Sequence, residues 1–159
     1  MLITIGSPHP SSGKTTLAVN LAAGLKENGH QVLLVTNRQD QFWLDWWNHF
    51  QGFFPVDMLC LEPESNLQVY TTNYDYIITD TNNLSALTSS SPLLPACQLL
   101  CLDFSFIDAT FFSDALDRPQ LNTYVVPCKV KHKEWATIEL LDILASQVGP
   151  DSVTEPIPY

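Results

Sequence analysis

The sequence predicts an α/β fold in which a doubly wound, mainly parallel β-sheet lies between two layers of helices. Short apolar runs recur along the 159-residue chain and are separated by turns and helix-forming segments. These runs are continuous rather than alternating, as in parallel strands that are buried on both faces. The first run leads through a glycine-containing loop into an apolar-periodic helix. Strands that alternate with helices in this way favour three layers.

The strands are predicted at the six apolar runs. They are rich in Val, Ile, Leu and Thr, which suit a pleated and buried surface. The predicted strands are residues 2–5, 32–36, 56–61, 76–79, 98–102 and 123–126.

Helices are predicted between these strands. The first begins near Lys14, carries Leu17, Leu21 and Leu25 at four-residue spacing, and ends before Gly29, a residue typical of helix ends. We predict a second helix over residues 40–50. A third, over residues 133–148, has one apolar stripe, formed by Trp135, Ile138, Leu141, Ala145 and Val148. Residues 89–92 and the proline-rich tail 150–158 are predicted as loop and terminus.

The composition restricts the classes of function. We expect one domain over residues 1–159. The formal net charge is −10, which argues against nonspecific nucleic-acid binding and against a polybasic membrane anchor. There is no basic leader and no apolar run of the roughly 20 residues that span a bilayer. We therefore expect a cytoplasmic protein, with no nucleic-acid partner and no stable membrane insertion.

The four cysteines are not spaced as a metal-binding motif or a CxxC pair. Cys101 lies in an apolar run that reads as a buried strand. We interpret all four as free, buried thiols, which behave as small apolar side chains. They are Cys60, Cys97, Cys101 and Cys128.

A phosphate-binding loop is predicted between the first strand and the first helix. Its second half, residues 12–16, reads Ser-Gly-Lys-Thr-Thr and matches the end of the G-x-x-x-x-G-K-[ST] pattern. The first half differs, because Pro8 replaces the usual glycine and Pro10 follows. Each proline lacks an N–H donor and has φ fixed near −65°. Residues 11–16 can still receive a polyphosphate.

Each residue of that half has a chemical role. Gly13 allows close approach of the backbone, Lys14 reaches the β- and γ-phosphates, and the Thr15 hydroxyl binds Mg²⁺. Thr16 lies at the helix N-terminus, which favours anions. Ser11 and Ser12 supply N–H groups and hydroxyls. The alternative is a strand-turn-helix that contains this sequence without binding phosphate.

A candidate magnesium ligand ends the fourth predicted strand. Residues 74–81 read Tyr-Asp-Tyr-Ile-Ile-Thr-Asp-Thr, an apolar strand that ends in Asp80. An aspartate at the carboxyl end of a strand beside a phosphate loop is placed to act as an outer-sphere Mg²⁺ ligand. The alternative is a solvated or helix-capping aspartate.

Together these segments resemble the ParA/MinD family of P-loop ATPases. Residues 3–20 are similar to the family's "KGGxGKTT…NLA" segment, residues 29–35 to its second strand, and residues 74–81 to its "yDyIiiDtpp" segment. The ending Glu-Pro-Ile-Pro-Tyr, residues 155–159, resembles its late "IP" segment. The resemblance implies Mg²⁺ and ATP as cofactors and a homodimer controlled by the nucleotide.

Several positions depart from the family pattern. His9 stands where the family has its signature lysine, and Thr36 and Arg38 stand where it has a D-x-D. Asp40, two residues further, is a candidate catalytic substitute for the lost acid. The family's base-contacting asparagine is also absent after the sixth strand, which weakens the preference for adenine.

Three functions follow from the sequence. The first is an ATPase with slow or weak hydrolysis, with Lys14, Asp80 and Asp40 as catalytic candidates. The second is a nucleotide-binding adaptor or scaffold that does not hydrolyse. The third is a phosphoryl-transfer enzyme of the dethiobiotin-synthetase kind.

An aromatic segment follows the second strand. Trp43, Trp46 and Trp47 share one face of the predicted helix with Phe42 and Phe50. This face either packs on the sheet or forms a surface for a protein partner, because tryptophan is enriched at interface hot spots.

Overall fold

A seven-stranded parallel β-sheet organises the chain. The computed structural model describes residues 1–7, 11–36, 45–46, 48–49, 52–61, 66–81, 97–103, 122–130 and 135–158. The strands pair in the order β3-β2-β4-β1-β5-β6-β7, and each pair is parallel. They are β1 (Leu2–Gly6), β2 (Val32–Thr36), β3 (Asp57–Cys60), β4 (Tyr76–Asp80), β5 (Cys97–Asp103), β6 (Thr123–Val130) and β7 (Ile157–Pro158).

The strand order creates a switch point beside β1. The chain passes from β1 over β4 to reach β2, and later from β4 over β1 to reach β5. Connections therefore leave the carboxyl ends of the central strands in opposite directions. This arrangement opens a crevice at that edge, where ligands of doubly wound sheets bind.

Helix α1 (Lys14–Glu27) covers one face of the sheet. Its Ala18 and Ala22 are fully buried in a cluster that includes Ile5 and Ile78. Small side chains on this side of the helix allow it to lie close to β1, β2 and β4. The helix follows the predicted leucine spacing, but alanines form its innermost contacts.

Helix α2 (Trp135–Val148) lies on the opposite face. Its Leu144 is 2% exposed and packs with Leu102 and Val125. Leu102 follows Cys101, which belongs to the α1 face, so the two helices lie on different sides. The three-layer α/β class is therefore confirmed. The predicted stripe was partly wrong, because Ile138 is 50% exposed and Leu144 is the buried centre.

The C-terminal tail extends the sheet, whereas the sequence predicts loop and terminus. A short 3₁₀ turn, Pro150–Ser152, leads to a bridge between Val153 and Val125. Strand β7 then pairs with β6. Proline is tolerated there because an edge strand leaves one side of its backbone unpaired.

The remaining predicted helix, over residues 40–50, is described only in part. Asp45, Trp46, Asn48 and His49 are helical, and the other residues of that range lie outside the described part of the chain. None of the helices that the structure describes is long and apolar enough to cross a membrane.

Candidate functional site

The loop between β1 and α1 has an uncommon backbone. Ser11 has φ of 59° and Gly13 has φ of 95°, both in the left-handed region. Left-handed residues before a helix belong to the backbone pattern of anion-binding nests. Gly13 caps α1 and its carbonyl accepts the first helical hydrogen bond, from the Leu17 amide at 2.9 Å.

The cation of this loop is held inside the protein. Lys14 is 5% exposed, and its Nζ lies 3.5 Å from the Ser12 hydroxyl, which is itself fully buried. A buried ammonium is costly unless polar or charged partners surround it. The first turn of α1 carries no acidic residue, so no carboxylate of that turn offsets the positive helix N-terminus.

A hydrogen bond joins the start of α1 to the end of β4. The Thr15 hydroxyl donates to Asp80 Oδ2 at 2.6 Å. Asp80 is 1% exposed and lies opposite Ile5 of β1 in the sheet register. A hydroxyl and a carboxylate are hard oxygen ligands of the kind that Mg²⁺ prefers. By donor type, this pair fits the magnesium ion that the sequence predicts.

Thr36 flanks Asp80 on its other side. It ends β2, is 2% exposed and pairs with Asp80 in the register of β2 and β4. The structure thus places the first D-x-D position at the edge of the site, with a hydroxyl there instead of a carboxylate.

The other predicted residues divide into two groups. Ser11 and Thr16 are exposed at the loop and the first helical turn, and the Thr16 carbonyl accepts a hydrogen bond from Asn20. The second group lies outside the described residues, and its roles stay predictions; it comprises Pro8, His9, Pro10, Arg38, Asp40, Trp43 and Trp47.

The thiols of Cys101 and Cys128 lie in the core next to this loop. Their position there was not predicted from the sequence. A Cβ atom built on Gly13 would lie 3.5 Å from Cys128 Sγ. A hydrogen bond with Cys128, and then burial, raises the pKa of Cys101; the same hydrogen bond lowers the pKa of Cys128. The four cysteines are free, as expected, and Cys101 and Cys128 are buried; Cys60 is exposed and Cys97 is only partly buried, so the expectation of burial was wrong for Cys60 and held only in part for Cys97. Cys60 ends the outermost strand, β3, which leaves it uncovered.

An ion pair at the ends of β5 and β6 was also missed. Lys129 Nζ lies 2.6 Å from Asp103 Oδ2, and the Asp103 side chain is 1% exposed. Lys129 has φ of 57° and lies where the pairing of β6 with β7 shifts register. A left-handed backbone is uncommon for lysine, and no local sequence signal indicates it.

Comparisons with known proteins support the fold. The chain is similar to a plasmid partition protein of Borrelia burgdorferi bound to AMPPNP, with a TM-score of 0.69, 18% identity, and coverage of 99% of this chain and 86% of that one. MinD of Aquifex aeolicus gives a TM-score of 0.66 at 16% identity, with 99% and 81% covered. FlhF complexed with GMPPNP and Mg²⁺ gives 0.64 at 17% identity, with 91% and 61% covered.

These neighbours are P-loop proteins with the same three-layer architecture. The resemblance to ParA/MinD ATPases is therefore confirmed at the level of the fold. The chain spans less than two thirds of the FlhF chain. No protein-family model and no curated protein sequence matches the chain.

Replacement of two glycines should change stability in opposite directions. Gly13→Ala places a side chain on a left-handed residue beside Cys128 and should destabilise the fold by about 1–2 kcal/mol. Gly24→Ala, inside α1 with open space around it, should stabilise by about 0.5–1 kcal/mol. Urea unfolding of both variants measures the difference. Equal effects would contradict the assigned loop conformation.

Proposed function

We propose that the chain binds Mg²⁺-ATP on the loop of residues 11–16 and hydrolyses it slowly. The observation that carries the proposal is the 2.6 Å hydrogen bond from Thr15 to Asp80, directly beside the buried Lys14. It brings the three chemical parts of a phosphate site together: a cation, a hydroxyl and a carboxylate. We take AMPPNP and GMPPNP on the structural neighbours as support for a nucleoside triphosphate.

Electrostatics favour a polyphosphate here despite the acidic chain. The net charge is −10, so an anion is repelled unless positive potential is concentrated locally. Lys14 and the N-terminus of α1 supply that potential at one point. Magnesium, when bound, neutralises part of the charge on the β- and γ-phosphates.

Each residue of the site has an assigned role in binding. The Lys14 ammonium contacts the β- and γ-phosphates, and the loop amides bind phosphate oxygens. The Thr15 hydroxyl is the direct metal ligand. Asp80, which already accepts from Thr15, would orient that hydroxyl and help to hold the metal.

The residues at the end of β2 and just after it are the reason for proposing slow hydrolysis. In-line attack on the γ-phosphate requires a positioned water, and that positioning supplies much of the rate. Thr36 offers only a hydroxyl beside Asp80, and Arg38 occupies the second D-x-D position. Asp40, the acid nearest to that position in the sequence, can orient water only if the loop after β2 is remodelled. If it does not, the protein is a nucleotide-binding adaptor.

We further propose that nucleotide binding controls a dimer or a protein complex. One structural neighbour is a MinC:MinD complex. In this chain, the segment after β2 contains the aromatic helix, where Trp46 meets the ring of Phe54 edge-on with 6.1 Å between centroids. The adjacent Phe53 is 86% exposed. An exposed aromatic ring next to a partly buried aromatic pair is suited to an interface.

Loss of the loop lysine should abolish most nucleotide binding. Lys14→Ala removes charged hydrogen bonds worth about 1.5–3 kcal/mol, so affinity for Mg²⁺-ATP should fall about ten- to a hundredfold. Lys26→Ala, at the other end of α1, is the control with the same charge change. Isothermal titration measures binding, and phosphate release measures turnover. Unchanged binding in Lys14→Ala would refute the proposed site.

The threonine hydroxyl should determine the magnesium dependence of binding. Thr15→Ala removes a metal ligand, so ATP affinity with Mg²⁺ should fall about tenfold but change little in EDTA. Thr15→Ser keeps the hydroxyl and should remain within about threefold of wild type. The same loss with and without Mg²⁺ would argue against metal ligation.

The exposed phenylalanine should affect assembly rather than nucleotide affinity. Phe53→Ser should weaken ATP-dependent dimerisation, measured by sedimentation velocity, by about tenfold, because a central interface aromatic contributes about 1–2 kcal/mol or more. Val69→Ser is the control, because Val69 is 62% exposed elsewhere. Equal dimerisation of both variants would exclude Phe53 from the interface.

A further inference from the structure

Cys101 and Cys128 form a buried thiol pair behind the phosphate loop. In the register of β5 and β6, Cys101 lies opposite Val126. Cys128 is two residues further along β6 and therefore on the same face of the sheet. Both thiols belong to the core cluster beneath α1, and they are 0% and 3% exposed.

The two thiols are chemically different. The Cys128 thiol donates to the Val126 carbonyl at 3.4 Å. Its hydrogen bond with Cys101 lowers the pKa of Cys128 and raises that of Cys101. The thiolate is the reactive form, so the lowered pKa of Cys128, together with its place beside Gly13 of the loop, favours Cys128 as the attacking thiol and Cys101 as the resolving one.

We propose that Cys101 and Cys128 are a reversible oxidation site, and that their disulfide changes the conformation of the phosphate loop. A hydroperoxide is the oxidant. The Cys128 sulfur attacks the peroxide, becomes a sulfenic acid and releases one water from hydrogen peroxide. Cys101 then attacks that sulfur, the disulfide forms, and the sulfenic oxygen leaves as a second water. A small thiol reverses the reaction by exchange.

The sheet geometry connects this chemistry to the loop. Because parallel strands lie about 4.8 Å apart and rise about 3.3 Å per residue, residues two positions out of register have Cα atoms roughly 8 Å apart, whereas a disulfide needs about 7 Å or less. The bond therefore draws the ends of β5 and β6 together. Cys128 Sγ lies 3.5 Å from the Cβ position of Gly13, so this movement reaches the residue that caps α1.

The strand geometry also bears on how easily the proposed disulfide is reduced and on how the oxidant reaches the buried thiols. A disulfide that requires strand movement is strained, and strained disulfides are more easily reduced. The buried thiols become reactive when the loop opens locally. A bound nucleotide holds the loop in place, so nucleotide should slow the oxidation. The effect on nucleotide binding rests on the proposed function, but formation of the disulfide does not.

The experiment uses the full chain with Cys60→Ser and Cys97→Ser, which leaves the pair as its only thiols. After treatment with hydrogen peroxide, peptide mapping without reductant should find a 101–128 crosslink that dithiothreitol removes. Adding Cys101→Ser should leave a Cys128 sulfenic acid that dimedone traps. Wild type is treated in parallel, so the result does not depend on the folding of a variant. If both thiols remain reduced while the protein stays folded, the proposal is wrong.

Two measurements test the link to the loop. Hydrogen–deuterium exchange in residues 11–16 should become faster on oxidation by about tenfold, and affinity for a fluorescent ATP analogue should fall by a similar factor. Both should recover with dithiothreitol. A crosslink that leaves loop exchange unchanged would overturn the coupling. If the reduced protein binds no nucleotide, the proposed function fails, and loop exchange still decides the coupling.

Discussion

The hydrogen bond between Thr15 and Asp80 is the constraint on which the site depends. It joins the first turn of α1 to the last residue of β4, with 2.6 Å between Thr15 Oγ1 and Asp80 Oδ2. Asp80 is only 1% exposed. With this bond in place, the N-terminus of α1, which begins at Lys14, lies at the carboxyl end of β4. A buried carboxylate is costly without hydrogen-bond partners. Because Thr15 of α1 is such a partner for Asp80, this bond also holds the start of α1 against the end of β4.

Buried polar groups concentrate at this edge of the sheet. Of the buried polar residues, Thr4, Thr79 and Gln98 lie within strands, whereas the others lie at or just beyond the carboxyl ends of strands. These others are Ser7, Ser12, Lys14, Thr36, Asp80, Thr81 and Asp103. Burial of so many polar groups lowers stability unless they are paired. Their position at the switch point favours a ligand site over a purely structural role.

The candidate site keeps the residues suited to binding a nucleotide but differs at a position where the resemblance implies a carboxylate. The residues that would hold phosphates and metal are present and close together, whereas the position beside Asp80 on β2 is a threonine. The proposed oxidation of Cys101 and Cys128 would act on the same loop through Gly13, which lies beside Cys128.

The sequence by itself determined the first six strands and the first helix, and it identified the candidate residues of the loop. These features depend on local sequence patterns. Apolar runs mark buried strands, and the Gly-Lys-Thr segment is recognised from residue types at fixed spacing. Strand β2 was predicted at its observed bounds, residues 32–36. The chemistry of Lys14, Thr15 and Asp80 could also be predicted from residue type and position after a strand.

Only the tertiary structure decided which distant residues meet. Four features were not predicted: the pairing of β6 with β7, the burial of Leu144, the ion pair of Lys129 with Asp103, and the position of Cys128 beside Gly13. Thr15 and Asp80 are 65 positions apart in sequence. Their contact depends on strand order and register, which arise from the packing of the whole sheet and leave no local pattern in the chain.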